Sequence, residues 1–153
     1  MKPAKTDLPV QERLGFLITQ ASWAIRGHMV RYIRSLGLEL TPEQWIAINW
    51  LWSHRSVCQQ ELAQAMHKDK ANITRVVNSL VKQGYLSRQP DPQDGRKHLL
   101  QLSPSGVKVM TEIMPKVMGE YRRITNELTE EEITTVKKAL AKILSQVNQT
   151  STE

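Results

Sequence analysis

Apolar positions recur three and four residues apart through most of the chain, and nearly every run begins or ends on a residue suited to a helix terminus. Leu14, Leu17, Ile18, Ala21, Ile25, His28, Tyr32 and Leu36 fall on one face of a long first helix that Gly37 closes. Thr41-Pro42-Glu43-Gln44 then reads as a capping box, with Pro42 at the first helical position, ahead of a helix whose apolar face is Trp45, Ile48, Leu51 and Trp52. A short third helix from about Gln59 to His67 buries Leu62, Ala63 and Met66. Asp69 caps a fourth, whose stripe is Ile73, Val76, Val77, Leu80 and Val81 and whose stop is Gly84.

The period changes between Tyr85 and Leu102. Two short strand candidates, Tyr85-Leu86-Ser87-Arg88 and His98-Leu99-Leu100-Gln101-Leu102, flank a run dense in turn formers, Pro90-Asp91-Pro92-Gln93-Asp94-Gly95. A β-hairpin with a long loop fits. Ser103-Pro104 opens a fifth helix carrying Val107, Met110, Met114, Val117, Met118 and Tyr121, which Pro115 should kink. Thr129-Glu130-Glu131-Glu132 is a second capping box. It starts a last helix with Ile133, Val136, Leu140, Ile143, Leu144 and Val147 on one side. The pattern predicts a mainly α chain with a small β-hairpin, divided into residues 1–40, 41–102 and 103–153. The long terminal helices have apolar faces to cover, and a bundled homodimer covers them most economically; folding back within one chain is the alternative.

Charge narrows the partner. The 153 residues carry 21 Lys and Arg against 15 Asp and Glu, a formal net charge of +6. Residues 1–58 and 59–101 each hold seven basic and four acidic residues, whereas residues 102–153 balance at seven and seven. An excess confined to the first two-thirds invites a polyanion, although a solvated basic surface would give the same totals. One cysteine cannot form an internal disulfide, no apolar h-region opens the chain, and no apolar run approaches the roughly 18 residues that cross a bilayer. A soluble cytoplasmic protein without membrane contact is expected.

The third and fourth helices, joined by His67-Lys68-Asp69, resemble a helix-turn-helix, with His67 where many such turns carry glycine. Opposite the apolar stripe of the fourth helix project Ala71, Thr74, Arg75, Asn78 and Lys82, flanked by Lys70 and Asn72. This face is polar and contains no acid. Arginine can fork onto guanine and asparagine can pair with adenine, whereas a merely solvated helix face usually mixes in Glu and Asp. A hairpin directly after such a helix is the second half of a winged helix. Its tip, Asp94-Gly95-Arg96-Lys97, suits a narrow minor groove, with Asp94 steadying Arg96 by a charge-assisted bond.

Glu61-Leu62-Ala63, Asp69 through Val77, Leu80 through Leu86, Asp91 through Lys97 and Leu102-Ser103 together resemble the multiple antibiotic resistance regulator (MarR) family. So do Leu40 through Trp45 before them and Leu128 through Glu132 after them. The wing's Asp-x-Arg is the most specific piece. The resemblance implies a homodimeric winged-helix transcription factor that binds double-stranded DNA at a palindromic operator, its terminal helices forming the dimer and its fourth helix reading the major groove. It also implies repression, released by small aromatic acids or oxidants. Oxidant-sensing relatives carry their cysteine in the first helix, which has none here. Cys58 stands instead where the third helix is capped, and a small half-buried residue is its plain reading.

Other chemistry is sparse. His28, His54, His67 and His98 form no ligand cluster with Cys58 at structural spacing, so neither metal nor cofactor is expected. There is no phosphate-cradling glycine loop, no nucleophile elbow and no convincing carboxylate pair, so an enzyme is not expected either. Four tryptophans against one phenylalanine are unusual. Trp23, Trp45 and Trp52, with Arg26 or His28, are candidates to line a cleft for a small aromatic anionic ligand, although aromatics at helical spacing more often build core. A protein-binding winged helix without DNA activity is the competing function.

Overall fold

The computed structural model describes residues 9–94 and 98–150. After a 3₁₀ turn at Val10–Glu12 come α1 (Leu14–Ser35), α2 (Pro42–Ser53), β1 (Val57–Cys58), α3 (Gln59–Ala65) and α4 (Lys70–Lys82). They are followed by β2 (Leu86–Pro90), β3 (His98–Leu102), α5 (Pro104–Ile124) and α6 (Glu130–Thr150). Near Met114 the chain divides into two compact units.

In the first unit the helix ends form as their sequences dictate. The Thr41 hydroxyl accepts from the Gln44 N–H at 3.2 Å, and Gln44 Oε1 accepts from the Thr41 N–H at 2.9 Å. Cys58 makes the same reciprocal box on α3 with sulfur in place of oxygen. Its Sγ accepts from the Glu61 N–H at 3.4 Å, while the Cys58 N–H donates to Glu61 Oε2 at 2.7 Å. Gly37 and Gly84 adopt φ of +87° and +80°, the left-handed stop that spares a Cβ, and so end α1 and α4. His67, in the turn between α3 and α4, also has positive φ, at 49°, a conformation that strains a residue with a Cβ.

The core forms where α4 meets α2, α3 and β2, with α1 set against α2. Ile73, Val77 and Leu80 of α4 are fully buried, as are Leu62 of α3, Ile48 of α2 and Leu100 of β3. Each such side chain contributes about 1.5–3 kcal/mol by leaving water. In α1 the buried positions are Met29 and Ile33, not the expected stripe, of which Leu14, Leu17 and Ile25 are exposed. A helix of 22 residues spans about 33 Å, far more than the 12-residue α2 can cover.

The expected hairpin is one part of a three-stranded antiparallel sheet in the order β1-β3-β2. Leu86 pairs with Leu102, Arg88 with Leu100 and Pro90 with His98, while Val57 and Cys58 pair with Leu100 and Leu99. Two residues show no period of their own. β1 exists because β3 lies beside it. At the start of α5 the Ser103 N–H donates to the Tyr85 carbonyl at 2.9 Å, and a Cβ on Gly106 would sit 2.2 Å from that same oxygen. Only glycine lets the helix begin so close to the strand.

The second unit contains the end of α5 and all of α6. Pro115 stands inside α5, which runs on through it. The Thr129 box caps α6 as expected, with the Glu132 N–H donating to Thr129 Oγ1 at 3.2 Å and the Thr129 N–H donating to Glu132 Oε2 at 2.8 Å. The Thr129 N–H and then the Thr129 hydroxyl, which donates to Glu132 Oε2 at 3.0 Å, hold the Glu132 carboxyl below its ordinary range, and burial opposes them. Val136, Leu140, Ile143, Leu144 and Val147 of α6 are all exposed.

Candidate nucleic-acid interface

With Ile73, Val77 and Leu80 turned into the core, α4 presents Lys70, Ala71, Asn72, Arg75 and Asn78 to solvent, with Thr74 half-buried between them. The helix has no carboxylate from Lys70 to Lys82. Asp69 closes its start by accepting from the Asn72 N–H at 2.8 Å and from Asn72 Nδ2 at 2.6 Å. The backbone bond and then the side-chain bond from Asn72 hold the Asp69 carboxyl below its ordinary value. The Ala71 N–H and Arg75 add to this, and burial opposes it.

The polar side chains of this face are not equally available. The Thr74 hydroxyl donates to the Lys70 carbonyl of its own helix at 2.8 Å and accepts from Gln59 Nε2 at 2.7 Å, so its proton is spent within α4 and one lone pair ties α4 to α3. Arg75 Nε lies 3.5 Å from the Ala71 carbonyl, and the residue is exposed. Asn78 Oδ1 accepts from Arg88 Nη2 of β2 at 2.5 Å. On the inner side, Gln44 Nε2 donates to Ser79 Oγ at 2.8 Å and ties the cap of α2 to α4.

The wing follows at once. Asp91 Oδ1 accepts from the Gln93 N–H at 2.8 Å, turning the chain out of β2, and Asp94 is half-buried. Arg96 and Lys97 lie outside the described residues. The contacts that Arg88, Gln59 and Gln44 make with α4 escaped the sequence reading because those partners are remote in the chain. Arg88 did carry a signal: strand alternation places it on the same face as Leu86, whose side chain is buried.

The residues expected to line an aromatic cleft are dispersed among different environments. Trp45 is 4% exposed and packs in the core, because α2 turns Gln44, Trp45, Ala47, Ile48 and Leu51 inward together. Trp23 and Trp52 are exposed, and His28 is half-buried. Arg26 is paired to Glu43 at 2.9 Å, a half-exposed bridge of the kind worth little. A hollow of about 400 Å³ opens elsewhere, between Gln59, Gln60 and Ala63 of α3 and Lys70 of α4. Among the described residues no group of His, Cys, Asp and Glu could hold a metal ion, and no helix is long and apolar enough to cross a membrane.

A helix-turn-helix whose second helix is capped by Asp69, free of acid on its open face and followed by a hairpin is a winged helix built to meet a polyanion. The MarR family model matches residues 40–98, the span from α2 to the start of β3. Over that span the chain is similar to the MarR family of transcriptional regulators. A protein of Thauera aromatica, named for transcriptional regulation of the hcr operon, is 27% identical over 155 residues, covering 97% of this chain and 93% of its own. The multiple antibiotic resistance protein MarR of Escherichia coli has an apo structure 25% identical to this chain. It covers 86% of this chain and 97% of its own, with a TM-score of 0.71, and a mutant of that protein has been solved with operator DNA. In fold alone, a MarR family regulator from Silicibacter pomeroyi matches 96% of this chain and 99% of its own at 19% identity, with a TM-score of 0.83.

Proposed function

We propose that the protein is a cytoplasmic homodimeric repressor of a palindromic operator. Each protomer lays α4 in the major groove through Lys70, Ala71, Asn72, Thr74, Arg75 and Asn78, and sets Asp94, Arg96 and Lys97 of its wing at the adjacent minor groove. The observation that carries this reading is the acid-free polar face of α4, exposed directly opposite a fully buried apolar stripe. The exposed apolar residues of α1 and α6 support pairing of two copies, since a lone chain would leave Leu14, Leu17, Leu140 and Leu144 in water. A small aromatic anion is the proposed releasing ligand. Trp23 and Trp52 are its accessible aromatic contacts, and such a ligand would compete with Glu43 for Arg26.

The test is a gel shift on genomic fragments, including the protein's own promoter, across a range of salt. Each phosphate contact releases counterions, so the logarithm of affinity should fall linearly with the logarithm of salt, by about 0.9 per neutralised phosphate. An aromatic carboxylate should then quench tryptophan emission and weaken operator binding together, as linkage requires. Failure to retain any fragment at low salt would overturn the DNA reading and favour a protein-binding winged helix.

A further inference from the structure

We propose that Arg88 is a positioning residue for base reading: it turns the Asn78 amide so that Asn78 reads a keto base, at guanine O6 or thymine O4, and not an amino base. This rests on the placement of α4 in the major groove proposed above, and it assigns polarity to one contact there.

The argument begins with what each group can do. A guanidinium only donates, so the amide atom of Asn78 that faces Arg88 Nη2 is its oxygen. That oxygen accepts a charge-assisted bond, and the amide NH₂ is the part left to donate. Adenine N6 and cytosine N4 are donors in the major groove. Either would have to approach an oxygen already serving a cation. Purine N7 accepts on adenine and guanine alike and does not separate them; guanine O6 and thymine O4 add an acceptor that meets the free N–H groups where adenine and cytosine set a donor.

The two ends of this contact are both held. Arg88 sits in β2 opposite Leu100 of β3, inside the antiparallel ladder. Asn78 follows the fully buried Val77 on a helix anchored one turn earlier by the bond from Gln59 to Thr74. The orientation of the amide is therefore set before any base arrives, which spares the entropy of fixing it on binding. Asn72 shows the opposite arrangement. Its Nδ2 is bound to the Asp69 carboxylate, so its oxygen is the atom turned the other way. Two asparagines on one helix thus have opposite polarity, each imposed by a neighbour outside the helix.

The experiment selects duplexes from a library with randomised half-sites, using the full chain as wild type, Asn78→Ala, Arg88→Met, Arg88→Lys and the double variant Asn78→Ala/Arg88→Met. Wild type should enrich guanine or thymine at one position where Asn78→Ala flattens the preference by on the order of tenfold. Arg88→Met should flatten the same position by a similar factor, and the double variant should flatten it no further. Arg88→Lys, which keeps a donor, should retain the preference. If Arg88→Met weakens all sequences alike, lowers the salt slope by about one and leaves the base preference intact, Arg88 is a phosphate contact and the assignment fails. Enrichment of adenine or cytosine at the position governed by Asn78 also overturns it. Enrichment of no sequence by wild type would instead bring down the DNA reading itself, a different failure with a different signature.

Discussion

Helices α4 and α6 carry the same kind of pattern and meet opposite fates. Both are amphipathic, both open on a capping side chain that accepts from a backbone N–H, and both repeat apolar residues at three- and four-residue spacing. Yet Ile73, Val77 and Leu80 of α4 are 0% exposed, whereas Leu140, Ile143 and Leu144 of α6 stand at 38%, 36% and 52%. The difference is not in the helices. α4 is surrounded by α2, α3 and β2 from its own chain, so its apolar stripe builds the core and its polar face is aimed by that core. The stripe of α6 is exposed, and the dimer proposed above would cover it. One amphipathic helix therefore builds the core with its apolar face, and the other leaves its apolar face in water.

Four variants break or sharpen that contrast. The largest effect is expected from Leu140→Lys combined with Leu144→Lys. If α6 pairs with a second copy, light scattering should show the mass fall from two chains to one. An unchanged mass with a concentration-independent loss of stability would mean that the stripe is covered within the chain. Ile73→Ala should cost about 2–5 kcal/mol, because it removes a fully buried side chain and leaves a cavity, and urea unfolding would report it. A loss below about 1 kcal/mol would deny α4 its place at the centre of the core.

Gly106→Ala comes next. Its Cβ would meet the Tyr85 carbonyl at 2.2 Å, and backbone rather than a flexible side chain must give way, so a loss of about 1–3 kcal/mol is expected without change of mass. The smallest effect is at the cap. The Asp69 carboxyl is held below its ordinary value of 3.8 in the folded chain. Its contribution to stability is thus full above that value and disappears as pH falls through the lower folded value. The melting temperature of Asp69→Ala should lie below wild type at neutral pH, and the gap should close as the solution is taken well below pH 4. A gap that persists unchanged in acid would mean that the ionised carboxylate is not what caps α4.

What was legible in the residues is what the chain decides locally. Asp69, Thr41 and Thr129 cap the helices they precede because a cap needs only three residues of chain, and Gly37 and Gly84 end theirs because only the local φ is at stake. The open face of α4 was equally legible, since its 3.6-residue period separates Arg75 and Asn78 from Ile73 and Val77 without reference to anything else. Local rules do not reach across the fold. β1 could not be seen in Val57 and Cys58, because two residues become a strand only when β3 supplies the ladder. Which residues of α1 are buried was settled by the reach of α2, and so fell to Met29 and Ile33. Trp45 went into the core because of what stands against α2, not because of its own spacing. Asn78 was readable as a polar residue on the right face, but the direction of its amide depends on Arg88, ten residues away on a strand whose register with β3 delivers it there. Sequence alone determined which faces exist, since faces follow from the period of one helix. Tertiary structure decided which of them are covered and how the side chains on them are turned, since burial and hydrogen-bond direction belong to pairs of elements and not to any one of them.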